Sequence, residues 1–68
     1  MRLELLAKDA QSGEKNCPSV YNDADSGDFV VVGPVVDSSH VDNVLPHESV
    51  VRLNREIVIE AARRYGAL

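Results

Sequence analysis

At 68 residues, 44% hydrophobic and 26% charged, the chain has room for one domain, and only about 60% of its unfolded surface can be buried on folding. The formal net charge of −4 and the single cysteine, Cys17, exclude two classes. There is no basic stripe of the kind direct nucleic-acid binding draws on, and no disulfide framework can form within the chain. The longest unbroken apolar run, Phe29 to Val32, is far short of the roughly 20 residues of a membrane span. Acids at Glu4 and Asp9 interrupt what would be the apolar stretch of a signal sequence. The expectation is a soluble, cytoplasmic domain whose thin core needs a supplement, and a second chain is the leading one.

Charge divides along the chain. Arg2, Lys8 and Lys15 balance Glu4, Asp9 and Glu14 in residues 1 to 16, whereas residues 17 to 49 carry Asp23, Asp25, Asp28, Asp37, Asp42 and Glu48 with no Lys or Arg. Arg52, Arg55, Arg63 and Arg64 then outnumber Glu56 and Glu60. An acidic middle repels phosphate and attracts a basic protein partner.

In chain order, Leu3 to Ala10 has two readings. Leu3, Leu6, Ala7 and Ala10 fit a helix, while Leu3, Leu5 and Ala7 alternate as in a strand. Gln11 to Asn16 reads as a loop. Ser19-Val20-Tyr21 and Asp28 to Val32 then form the arms of a hairpin, joined by Asn22 to Gly27. The loop residues bond their own backbone or, as Gly27, accept positive φ. Phe29-Val30-Val31-Val32 is continuous rather than alternating, which places it centrally in a sheet with both faces covered. Gly33-Pro34 interrupts it with a bend.

Asp37, Ser38 and Ser39 can cap a single turn that carries Val41 and Val44 inward. Another strand is expected at about Ser49 to Leu53. Beyond it, alternation of Val51, Leu53, Ile57 and Ile59 competes with a helix. The helix is preferred, from about Arg55 to Tyr65: Asn54 is an N-cap, Glu56 lies in the first turn, Arg63 and Arg64 in the last, and Gly66 follows as a stop. Its apolar residues cover an arc of roughly 200°, wider than one small sheet needs, so that either the excess meets a second chain or the short helix sits deep in its own domain. Ile57, Val58, Ala61 and Tyr65 on that arc are the candidate interaction residues. The fold class is α+β: a small antiparallel sheet, from a hairpin at about 19–32 and a strand at about 49–53, packed by a C-terminal helix.

Three groups could carry chemistry. Asp23-Ala24-Asp25-Ser26-Gly27-Asp28 resembles the start of a calcium loop. Counted from Asp23, however, positions five, six and twelve are Gly27, Asp28 and Pro34, where the calcium pattern needs an oxygen ligand, Gly and Glu. A solvated turn is the simpler reading. Cys17 with His40 and His47 supplies thiolate and imidazole, for zinc with Asp37 or Asp42 as a further ligand or for nucleophilic catalysis, but at no spacing that defines either. A small buried cysteine and two exposed histidines are the simpler reading here. No phosphate loop or nucleophile elbow is present, so the expectation is a non-enzyme with no cofactor.

Asn16-Cys17-Pro18-Ser19-Val20-Tyr21, then Val30-Val31-Val32-Gly33, then Glu48-Ser49-Val50-Val51 resembles a group of short uncharacterised actinobacterial proteins with Cys-Pro-x-Val-Tyr, Val-Val-x-Gly and a late Glu-x-Val-Val. Such proteins are often encoded near helix-turn-helix regulators. The resemblance implies an accessory regulatory role rather than an enzyme, acting as a self-associating module or on a basic partner. The alternative is a metal- or small-ligand-binding protein using the Asp23–Asp28 loop or Cys17, His40 and His47.

Overall fold

The computed structural model describes residues 1–9 and 18–66; Cys17 and Ala10 lie outside these. The architecture is α+β. Strands β1 (Leu3–Lys8), β2 (Ser19–Asp23) and β3 (Phe29–Val32) form an antiparallel sheet in the order β1-β2-β3. Two further strands, β4 (Val35–Val36) and β5 (Val50–Val51), pair only with each other. The C-terminal helix α1 (Arg55–Gly66) packs across β1 and β2.

The strand reading of the N-terminus prevails, and a bulge explains its ambiguity. Leu5 pairs with Tyr21 and Ala7 with Val20, leaving Leu6 as the extra residue. Such an insertion turns neighbouring side chains toward one side. Leu6 and Ala7 are accordingly both buried in the core with Val20, Ile57 and Ala61, and Leu53 packs against the cluster. Adjacent buried apolar residues imitate helical spacing.

The hairpin forms where loop chemistry places it. Asp23 N–H donates to the Asp28 carbonyl at 2.8 Å and Gly27 N–H to the Asp23 carbonyl at 2.8 Å, closing a four-residue loop. Gly27 takes φ of 81°, a conformation open to glycine at little cost. Its second arm is not central, however. β2 has β1 on one side and β3 on the other, so β3 is an edge strand. The uninterrupted apolar sequence of β3 therefore does not reflect cover within this chain: Phe29, Val31 and Val32 are each between 41% and 47% exposed.

After β3 the chain bends at Gly33-Pro34 and crosses the segment leading into α1. Arg52 N–H donates to the Pro34 carbonyl at 3.0 Å. The expected strand at 49–53 is shortened to Val50–Val51 and joins β4 rather than the hairpin. Between β4 and β5, Asp37 accepts from Ser39 N–H at 2.9 Å and caps a 3₁₀ turn at Ser38–His40. Leu45-Pro46-His47-Glu48 then makes a β-turn closed by Glu48 N–H on the Leu45 carbonyl at 2.9 Å. Val41, expected to point inward, is half exposed, because the excursion has no apolar layer beneath it; Val44 is partly buried.

The helix starts as its sequence indicates. Asn54 Oδ1 accepts from Glu56 N–H at 2.8 Å, and the Asn54 carbonyl accepts from Ile57 N–H at 3.1 Å. The run Ile57-Val58-Ile59 has low helix propensity, so cap and packing must hold the first turn. Replacing Asn54 with Ala is expected to lower stability by about 1 kcal/mol, read from the urea midpoint, with Asn54→Asp close to wild type.

Candidate interaction surface

The geometry of α1 divides its wide apolar arc into two functions. At about 100° per residue from Ile57, Ala61, Tyr65, Val58 and Ala62 follow in one direction and Arg64, Glu60 and Glu56 in the other. Ile57 and Ala61 are 6% and 2% exposed and meet the sheet. They are occupied within the domain. Val58, Ile59 and Tyr65 stay 46–48% exposed, and Ala62 is exposed as well. Of the four candidate interaction residues, Val58 and Tyr65 face outward and Ile57 and Ala61 do not.

The exposed flank has a direction. Tyr65 meets Phe29 of β3 edge to face, ring centroids 5.1 Å apart at 80°, so the apolar side of α1 leans toward β3. The polar side leans the other way, where Glu56 and Glu60 share a cleft with Ala7, Lys8 and Asp9 at the β1 edge. Cross-strand pairing aligns Val31 with Val20 and Phe29 with Asn22 on the helix side of the sheet, and Val30 with Tyr21 and Val32 with Ser19 on the back. Tyr65, Phe29 and Val31 thus lie together on the helix side of β3, and Val58 is exposed on the same flank of α1 as Tyr65. Val32 continues this apolar surface around the edge.

The two sheet edges differ in kind. β1 carries Glu4 and Lys8 and is bent by its bulge, devices that discourage pairing with another strand. β3 itself, Phe29–Val32, has no charged residue and no proline, and no bulge in its pairing with β2. Among the described residues nothing pairs with its outer side.

The aspartates of the hairpin loop do structural work. The Asp23 side chain is buried; Oδ1 accepts from Asp25 N–H at 3.0 Å and Arg2 N–H at 3.2 Å, and Oδ2 from the Ser26 hydroxyl at 3.0 Å. Asp25 lies 2.8 Å from the Arg2 guanidinium and 3.2 Å from the Met1 ammonium. Asp28 is exposed. Asp23 thus ties the start of β1 to the turn, and no group of three His, Cys, Asp or Glu side chains among the described residues could hold a metal ion. His40 and His47 are exposed on separate turns of the excursion, and Cys17 lies outside the described residues.

Hydrogen bonding, first of all from Asp25 N–H and then from the Ser26 hydroxyl and Arg2 N–H, holds the Asp23 carboxyl below its ordinary value near 3.8 against the opposing effect of burial. The Ser39 N–H and hydroxyl do the same for Asp37. A carboxyl depressed in the folded state adds stability that is present above its unfolded value and is lost as pH falls through the folded one. Stability is therefore expected to decline as pH drops below about 4. Asp23→Asn should flatten that decline in part, leaving the contribution of Asp37, as measured by urea midpoints from pH 5 to pH 2.

A second depression of about 650 Å³, open to solvent, lies where Pro34 crosses the helix start, lined by Pro18, Pro34, Arg52, Leu53, Asn54 and Arg55. Its described lining is basic, with no carboxylate or imidazole to act as a base. No helix among the described residues is long and apolar enough to cross a membrane. Compared with protein-family models, curated proteins and solved structures, the chain shows no match in any of the three.

Proposed function

We propose that the chain is a protein-interaction module that acts by associating with other protein chains, without turning over a substrate. The observation that supports this is the apolar surface of Tyr65, Phe29 and Val31 beside an uncharged sheet edge, with Val58 exposed on the same helix flank as Tyr65. Contiguous apolar surface of this kind marks association sites. The acidic excursion between β4 and β5 adds an electrostatic face: Asp37, Asp42 and Glu48 are exposed there with no Lys or Arg between them. Such a face favours encounter with a basic protein, a DNA-binding regulator being the chemistry it suits, and repels nucleic acid itself. The module is then an accessory to such a regulator, in keeping with the resemblance carried by Cys17-Pro18-Ser19-Val20-Tyr21.

The test is capture of partners from source cells with wild type and Val58→Lys, followed by reconstitution with the purified partner. A partner that binds wild type and is lost from a folded Val58→Lys chain is the expected result. Partners indifferent to that charge, or none, would remove the apolar surface from the account.

A further inference from the structure

We propose that two copies of this chain pair β3 to β3, antiparallel about a two-fold axis, to make one continuous six-stranded sheet with both helices on the same face. This rests on the interaction-module reading and names one partner for it, a second copy.

The two sheet edges contrast in how they are protected. A free strand edge presents unpaired N–H and C=O groups, and proteins that remain monomeric blunt it with charge, proline or a bulge. This sheet does so on β1 and not within β3, where Phe29, Val31 and Val32 are exposed and Val30 is partly buried. An antiparallel copy of the same strand supplies the missing hydrogen-bond partners by the ordinary ladder pattern. A two-fold axis perpendicular to the sheet keeps equivalent faces together, so residues of equal parity oppose each other, with either Val30 or Val31 on the axis. Phe29 and Val31 then meet their counterparts on the helix side, and Val32 on the back. The interface is self-complementary, as a two-fold contact requires.

Charge permits this pairing. No ionisable group lies between Asp28 and Asp37, so no like charges oppose within the strand. The two Asp28 side chains fall on opposite ends, at least about 13 Å apart along the strands, beyond the Debye length of about 8 Å at physiological salt. The helix adds its apolar flank. Tyr65 meets Phe29 of β3 while Glu56 and Glu60 lie at the β1 edge, so the flank of each helix that carries Tyr65 and Val58 is turned toward the dyad. The amount of surface present sets the strength of the contact. Half-exposed Phe29 and Tyr65 with the three valines offer roughly 400–500 Å² per copy once the strand backbone is included. For the two copies together that is below the roughly 1,200–2,000 Å² of stable specific interfaces, so the dimer is a weak one that forms only as concentration rises. Because each copy carries −4, association strengthens as salt screens the net repulsion, whereas binding to a basic partner weakens.

Sedimentation equilibrium over a concentration series at two salt concentrations tests this, using wild type, Val31→Lys, Val58→Lys and Leu5→Lys. Leu5 is exposed on the back of β1, the far strand. Wild type and Leu5→Lys should dimerise, more strongly at high salt. Val31→Lys and Val58→Lys should raise the dissociation constant about 100-fold or more, since each places a lysine against its counterpart's apolar surface. Val58→Lys keeps the test decisive if Val31→Lys fails to fold, because it lies on the exposed side of the helix. A wild type that stays monomeric throughout overturns the pairing, while capture of a different partner through Val58 would leave the interaction reading standing. A dimer broken by Leu5→Lys but not by Val31→Lys or Val58→Lys assigns association to the back of the sheet and equally overturns the edge proposal.

Discussion

Ile57→Ala is expected to leave the chain largely unfolded at room temperature. Ile57 is 6% exposed and lies in a cluster of five buried apolar residues, two of which are alanines. Truncating a buried isoleucine costs about 2–5 kcal/mol, from lost transfer energy and from the cavity left behind. A single core in a domain of this size rarely supplies more than about 3–5 kcal/mol. The loss therefore takes most of the available stability, and with it the helix, whose β-branched first turn depends on packing. Circular dichroism should show the helical signal largely lost for Ile57→Ala. Ile59→Ala, at a half-exposed position on the same helix, should keep it. Equal effects at the two positions would contradict the assignment of Ile57 to the core and Ile59 to the surface.

Gly33→Ala is expected to be damaging for a single-methyl change, at about 1–3 kcal/mol. A Cβ on residue 33 would stand 2.8 Å from the Arg52 carbonyl oxygen and 2.7 Å from Leu53 Cδ2. The leucine tip could move, but the carbonyl belongs to backbone that is fixed by the Arg52 N–H bond to Pro34. Relief requires separating the two crossing segments, which disturbs the β4–β5 ladder and draws Leu53 away from the core it packs against. Gly66→Ala is the comparison, since a Cβ there meets nothing within 4 Å. Its urea midpoint should stay near wild type while that of Gly33→Ala falls.

What the sequence disclosed follows the range of the interactions involved. The hairpin turn and the helix start were legible because Asp23, Gly27 and Asn54 act on backbone groups a few residues away, and local chemistry carries its own signature. The strand at Leu3–Lys8 stayed ambiguous because its bulge buries Leu6 beside Ala7, breaking the period of two from which strands are read. The short pairing of Val35–Val36 with Val50–Val51 had no local signal, since two residues a side define no pattern. β3 is the most instructive case. Its apolar run predicted a central strand with both faces covered, and neither holds, because an unbroken apolar run does not specify where in the sheet a strand lies. The structure puts β3 at the edge with Phe29, Val31 and Val32 exposed.

The wide arc of α1 behaved similarly. From sequence, Ile57, Val58, Ala61 and Tyr65 formed one set; the sheet takes Ile57 and Ala61 and leaves Val58 and Tyr65 exposed. The aspartates of residues 23–28 looked like a ligand set because turn chemistry and cation chemistry both use closely spaced carboxylates. Only the hydrogen bonds to Asp23 separate the two.

Backbone hydrogen exchange at Phe29–Val32, followed at two protein concentrations that straddle the dimer midpoint, tests the edge account most directly. The outward-facing amides of β3 should gain protection as concentration rises, while those on the outer side of β1 exchange at the same rate in both samples. Rates at β3 that do not change with concentration, or protection gained equally at both edges, would contradict it.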